Sequence, residues 1–142
     1  LSKFDFIKLP IVRENCRHVY YLYPIRFNSD LLGISRNTFV KAMNAEGISL
    51  GQGYMRPIYL EPLFMKQITF EGNSCPLKCP WYKRQISYKK GLCPVAERLH
   101  FNEFLTTDIC KYPNTEKEIE EFVAALEKIT KNVNQLKIKG MC

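Results

Sequence analysis

The strongest periodic signal lies near the end of the chain. In "NTEKEIEEFVAALEKITKNV", Ile119, Phe122, Val123, Leu126, Ile129 and Val133 recur at helical spacing with charged residues between them. A stripe of that width predicts an amphipathic helix that buries one face. Thr115 with Glu118 three residues on reads as a capping box, and Pro113 stands just outside it. A different period runs through "HVYYLYPIRF", residues 18–27, where Val19, Tyr21, Tyr23, Ile25 and Phe27 fall on one side. Aromatic and β-branched residues at period two predict a strand. Pro24 cannot donate to a ladder, which points to an edge or a bulge there.

Between these two signals the punctuation is clear. "SRNTFVKAMNAEGI" offers Ser35 as a cap, Phe39, Val40 and Met43 as one apolar stripe, and Gly47 as a left-handed stop. A short amphipathic helix follows from that pattern, and residues 48–50 suit a brief strand. Residues 65–93 contain Gly72, Pro76, Pro80 and Gly91 and read as an irregular loop with a small strand candidate at 67–70. Pro94 suits the first turn of a helix in "PVAERLHFNEF" that buries Val95, Leu99 and Phe104. A strand at 105–109 precedes the long helix, and residues 134–142 read as a flexible tail. This element order predicts a single α+β domain over 1–142: a small, mostly antiparallel sheet with helices packed on one face.

A chain of 142 residues is long enough for one core. The longest apolar or aromatic run, "VYYLYPI", is far shorter than the roughly 20 residues a spanning helix requires, so the sequence predicts a soluble protein with no membrane partner. The amino terminus has no initiator methionine and no targeting pattern, as expected of a processed or excised chain. The net charge of +7 raises the alternative of a free-standing basic module for an anionic partner such as RNA. Its distribution opposes that: Lys83, Arg84, Lys89 and Lys90 share one polar loop, Lys128 to Lys139 trail off the end, and no nucleic-acid motif frames either group. The six cysteines form no compact secreted-type framework, which suits reduced thiols in a cytoplasm.

Candidate chemistry is sparse. Cys75, Cys79 and Cys93 lack the second close ligand pair of a structural zinc site, so no metal is expected. His100 reads as a surface or half-buried residue, and His18 as the opening of a strand. No hydrolase elbow, phosphate loop or HExxH helix is present. What remains is "GQGYMRPIYLEPLF", residues 51–64. Pro57 and Pro62 hold this segment extended and exclude it from a central strand, so Tyr54, Arg56 and Tyr59 sit on a stiff ribbon. Tyrosine presents an apolar ring with a hydroxyl tip, and arginine a forked donor for carboxylate, phosphate or diol oxygens. Such a ribbon serves either as a binding wall or as cover for the sheet edge.

The order "HVYYLYPIRF", "FVKAMNAEGI", "GYMRPIYLEPLF", "CPVAERL" and "YPNTEKEIEEFVAALEKI" resembles the carboxyl-terminal small domain of the DegT/DnrJ family of sugar aminotransferases, over residues 9–130. Within it, "RPIYLEPLF" is similar to the branch acting on cyclitols and related keto-sugars. The resemblance implies a pyridoxal-phosphate-dependent transferase that moves an amino group from a donor such as glutamate or glutamine to a keto-sugar or keto-cyclitol. It further implies that a separate large amino-terminal domain supplies the Schiff-base lysine and most of the cofactor site, and that the whole enzyme is a homodimer. No residue of this chain is then catalytic, and the chain alone is inactive. Substrate-side contacts carry over to Tyr54, Arg56 and Tyr59, and the strand motif adds His18, Tyr21 and Arg26. Arg26 suits an ion pair as well as a carboxylate clamp. Many members have histidine where this chain has Tyr21 and Tyr59, which leaves the substrate open.

Overall fold

Alternation along Tyr23–Phe27 (β2) sorts its side chains as the period demands: Ile25 and Phe27 are buried, while Arg26 is exposed on the opposite face. The structure is a computed structural model and describes residues 1–68, 82 and 84–139. Strand β2 pairs antiparallel with Ile7–Lys8 (β1) on one side and Phe104–Thr107 (β4) on the other, and Gly51–Gln52 (β3) completes the far edge. The sheet has four strands in the order β1-β2-β4-β3.

Helices cover one face. Arg36–Ala45 (α2) contributes Phe39, Val40 and Met43, and Glu116–Lys131 (α5) contributes Phe122, Ala125, Leu126 and Ile129. These meet Ile25, Phe27 and Leu105 from the sheet and Phe4, Phe6 and Ile7 from the amino-terminal segment in one core. Phe27 stacks on Phe39 with centroids 4.7 Å apart, and Phe6 meets both edge-on at 6.2 and 6.0 Å. The α+β arrangement with helices on one face is therefore the one the pattern predicts. The caps hold too: Ser35 accepts from the Thr38 N–H, and Thr115 forms its capping box with Glu118. A four-residue helix, Ser29–Leu32 (α1), links β2 to α2 and is capped by Asn28.

Several expectations need correction. Residues 18–22 do not extend β2, because β4 ends at Thr107, the partner of Tyr23, and leaves nothing beyond to pair with. Instead His18 stacks on Tyr20 at 3.9 Å and Tyr20 packs edge-on to Tyr23 at 4.7 Å. The brief strand lies at Gly51–Gln52 in place of 48–50, since the Leu50 N–H is taken by the Asn44 side chain and the Ser49 carbonyl by Thr107 Oγ1. The ribbon is not extended between its prolines: Ile58–Leu60 makes a 3-10 turn, and Pro62 opens a short helix, Pro62–Met65 (α3). At 67–70, Gln67 has φ of 50° and the Ile68 N–H bonds to Leu63, which closes α3 in a turn; residues 69–70 lie outside the described segments.

Helix Pro94–Arg98 (α4) runs directly into a π-turn, Leu99–Glu103, and then β4. Val95 is exposed, against expectation, and the carboxylate of Glu97 takes the buried position. Leu99 and Phe104 are half-buried. The tail expected after residue 133 is a helix, Val133–Lys139 (α6), and Val133 and Leu136 pack against the core. No helix among the described residues is long and apolar enough to cross a membrane.

Candidate functional site

With one face of the sheet covered by helices, Pro24 and Arg26 of β2 and Phe104 and Thr106 of β4 are left on the other. Over this open face lies a cavity of about 340 Å³ lined by His18, Tyr21, Leu22, Pro24, Tyr54 and Thr106 among others. Three of the six residues singled out in the sequence, His18, Tyr21 and Tyr54, thus meet around one cleft. Tyr21 is 72% exposed and Tyr54 58%, so both rings are available to a ligand. Lys111 lies 5.2 Å from the Tyr21 ring centroid, a cation–π contact on that ring.

The glycines of the Gly-x-Gly bring the ribbon to this position. Gly53 is buried at φ of 70°, and a Cβ there would meet the carbonyl and ring of His100 at 3.0 to 3.2 Å. Gly51 lies against Thr106, where a Cβ would approach Oγ1 to 2.6 Å. At position 53 the positive φ and the close His100 carbonyl call for glycine. The Gly53 N–H then bonds to the Phe104 carbonyl at 2.7 Å, and Tyr54 emerges beside β4.

The other three residues sit elsewhere. Arg26 lines a separate cavity of about 380 Å³ with Lys8, Arg98 and Glu103. Its Nε and Nη2 donate to Glu103 Oε2 at 3.1 and 2.8 Å, and Arg98 Nε contacts Oε1 of the same carboxylate at 2.7 Å. Arg56 is exposed, donates to the Leu60 carbonyl at 3.3 Å and faces Glu61 at 3.6 Å. Tyr59 is buried, and its hydroxyl donates to Glu97 Oε1 at 2.5 Å. Burial foremost, then that hydrogen bond, pushes the Tyr59 hydroxyl up to about 12. The Tyr59 bond holds the Glu97 carboxyl below its usual range against the opposing effect of burial.

Two groups near the site escaped the sequence reading. Glu97 is one, and its only sequence signal is its place in "CPVAERL". Arg36 is the other: buried in the first turn of α2, it donates to the carbonyls of His100 at 2.7 Å and Phe104 at 3.2 Å, bracketing the π-turn. Its Nε has no hydrogen-bond partner among the described residues. His100 is half-buried, as expected, and its pKa is lowered by burial and by the charges of Arg36 and Arg56. Among the described residues no cluster of three metal-ligating side chains occurs, and Cys93 is an exposed free thiol; Cys75 and Cys79 lie outside the described segments.

Comparisons with known proteins bear on the family of this chain. The profile of the DegT/DnrJ/EryC1/StrS aminotransferase family matches residues 2–103. The chain belongs to this family. It is 26% identical over 121 residues to an uncharacterized protein of Methanocaldococcus jannaschii, covering 84% of this chain and 26% of that protein. It is also 25% identical over 79 residues to the spore coat polysaccharide biosynthesis protein SpsC of Bacillus subtilis, covering 55% of this chain and 20% of that protein. The chain thus spans about a quarter or less of the length of these relatives.

Pyridoxal phosphate, the cofactor implied by the family, requires a desolvated lysine to form its Schiff base. Every lysine whose side chain is described is exposed. Several already face other groups: Lys3 bonds to Glu127, Lys128 to Glu46, and Lys90 lies over the Phe101 ring. The described residues do not by themselves fit the cofactor.

Proposed function

We propose that this chain is the carboxyl-terminal small domain of a pyridoxal-phosphate-dependent aminotransferase that transfers an amino group from an amino acid to a keto-sugar or keto-cyclitol. Its part is to form one wall of the reaction chamber. The observation that carries this reading is the cleft of His18, Tyr21 and Tyr54 on the open face of the sheet. Its volume of about 340 Å³ is at the lower end of the range for small-molecule pockets, and its rings with polar tips suit a sugar, whose ring carbons stack while its hydroxyls bond. The family supports amino transfer, and the resemblance to a protein of polysaccharide biosynthesis supports a sugar.

In this reading Tyr21 and Tyr54 bind and orient the sugar, His18 contributes a hydrogen bond at the rim, and the stiff ribbon keeps bulk water from the reacting carbon. The cofactor and the reactive amine come from polypeptide opposite the cleft, belonging to a large amino-terminal domain. Arg56 projects from the same ribbon and suits a carboxylate or hydroxyl of the substrate pair.

The test is a single substitution in the whole enzyme. Tyr54→Ala should raise KM for the keto substrate about tenfold, the scale of one lost stacking or hydrogen-bonding contact of about 1.4 kcal/mol, while leaving the melting temperature of the chain unchanged. Equal losses of stability and activity would identify Tyr54 as structural cover instead.

A further inference from the structure

We infer that Glu97 is a positioning residue, a buried carboxylate that fixes the ribbon of residues 54–61 and the end of the preceding loop to α4. Its bearing on the cleft rests on the substrate-wall reading; the junction itself does not.

The ribbon has few anchors. Tyr54, Met55, Arg56 and Ile58 are exposed, and only Tyr59 and Leu60 are buried. Neither of these two joins the main core cluster. Leu60 provides apolar contact, which has no direction. Tyr59 provides direction, because its hydroxyl meets Glu97 Oε1 at 2.5 Å. The same oxygen accepts the Gly91 N–H at 2.6 Å. One carboxylate therefore ties to α4 two points of the chain that lie 38 and 6 residues before it along the sequence.

A carboxylate only 7% exposed is costly to bury unless its partners are in place. With both in place it rewards one arrangement and penalises any slip of the ribbon, which leaves a buried charge short of a donor. An apolar side chain at position 97 would tolerate such slippage. The Tyr54 ring, five residues upstream, inherits its placement over β4 from two fixed ends: Gly53 bonded to Phe104 and Tyr59 bonded to Glu97.

Hydrogen exchange of backbone amides on the 142-residue chain tests this, with Glu97→Ala, Glu97→Gln and Tyr59→Phe compared. Glu97→Ala should speed exchange across 54–61 and at Gly91 at least tenfold while the amides of α5 stay protected. Tyr59→Phe should speed 54–61 but leave Gly91 protected, and adding it to Glu97→Ala should change nothing further. Glu97→Gln keeps an acceptor oxygen and should restore part of the protection at Gly91. Unchanged protection of 54–61 in Glu97→Ala overturns the inference. Uniform acceleration through α5 in all three variants overturns it too, since that marks general support of the fold. Exchange reads position and not turnover. A failed junction therefore shows as unmoved protection, and a failed wall reading as absent amino transfer with the junction intact.

Discussion

Two charged side chains among the described residues, Arg36 and Glu97, have almost no contact with water, and each is placed to hold an irregular segment. Arg36 spans the two ends of the π-turn through the His100 and Phe104 carbonyls. Hydrogen bonds from a charged donor contribute about 1.5 to 3 kcal/mol each, so losing both in Arg36→Ala should cost about 3 to 6 kcal/mol in urea unfolding. Both bonds leave one nitrogen, Nη1, so Arg36→Lys should recover part of that loss, since an ammonium carries donors for both carbonyls. Glu97 and Tyr59 make a pH prediction with a definite sign. The Glu97 carboxyl is held low, so its contribution is complete above the ordinary carboxyl range and is lost as pH falls through the lowered value. The Tyr59 hydroxyl is raised from 10.0 to about 12, so its contribution is complete below the ordinary value and is lost as pH rises through the raised one. The junction should therefore be intact through the whole neutral range. In ring-labelled NMR, the Tyr59 hydroxyl should keep its proton above the ordinary tyrosine range; a Tyr59 that loses it within that range contradicts the buried pair.

At the scale of elements, α5 carries much of the core and its start is set locally. Thr115→Ala removes one side of the capping box and should lower stability by about 1 kcal/mol. Leu126→Ala, on the buried face of the same helix, should cost about 2 to 5 kcal/mol by thermal or urea unfolding. Helices α2 and α5 were legible because period, cap and stop all lie within one stretch of sequence. The strands were less so. β2 is shorter than its alternating pattern because β4 supplies only four partners, a fact about another part of the chain. β1 has two residues and no period to read. Val95 looked like the inward residue of α4 on apolar character alone. Glu97 displaces it because Tyr59 and Gly91, both outside the helix, provide the donors that make a buried carboxylate tolerable. The candidate cleft was legible only in part. Tyr54 followed from its rigid ribbon, whereas His18 and Tyr21 reach the cleft through the folding back of a segment that reads as strand.

At the scale of the molecule, one face of the sheet is closed by helices and the other carries a ring-lined cleft. Val19, Tyr21, Tyr54, Met55 and Ile58 leave large apolar surface exposed on the segments that border this face. Surface of this kind marks a binding or interdomain contact. In the proposed enzyme it faces the cofactor-bearing domain, and no lysine of this chain is needed for chemistry. The most direct measurement is to mix residues 1–142 with pyridoxal phosphate, trap any imine with borohydride and weigh the protein by intact mass. The chain should retain no stoichiometric adduct beyond that of freely exposed lysines. One equivalent of cofactor fixed to a single lysine within residues 1–142 would contradict the assignment of this chain as a wall without the reactive amine.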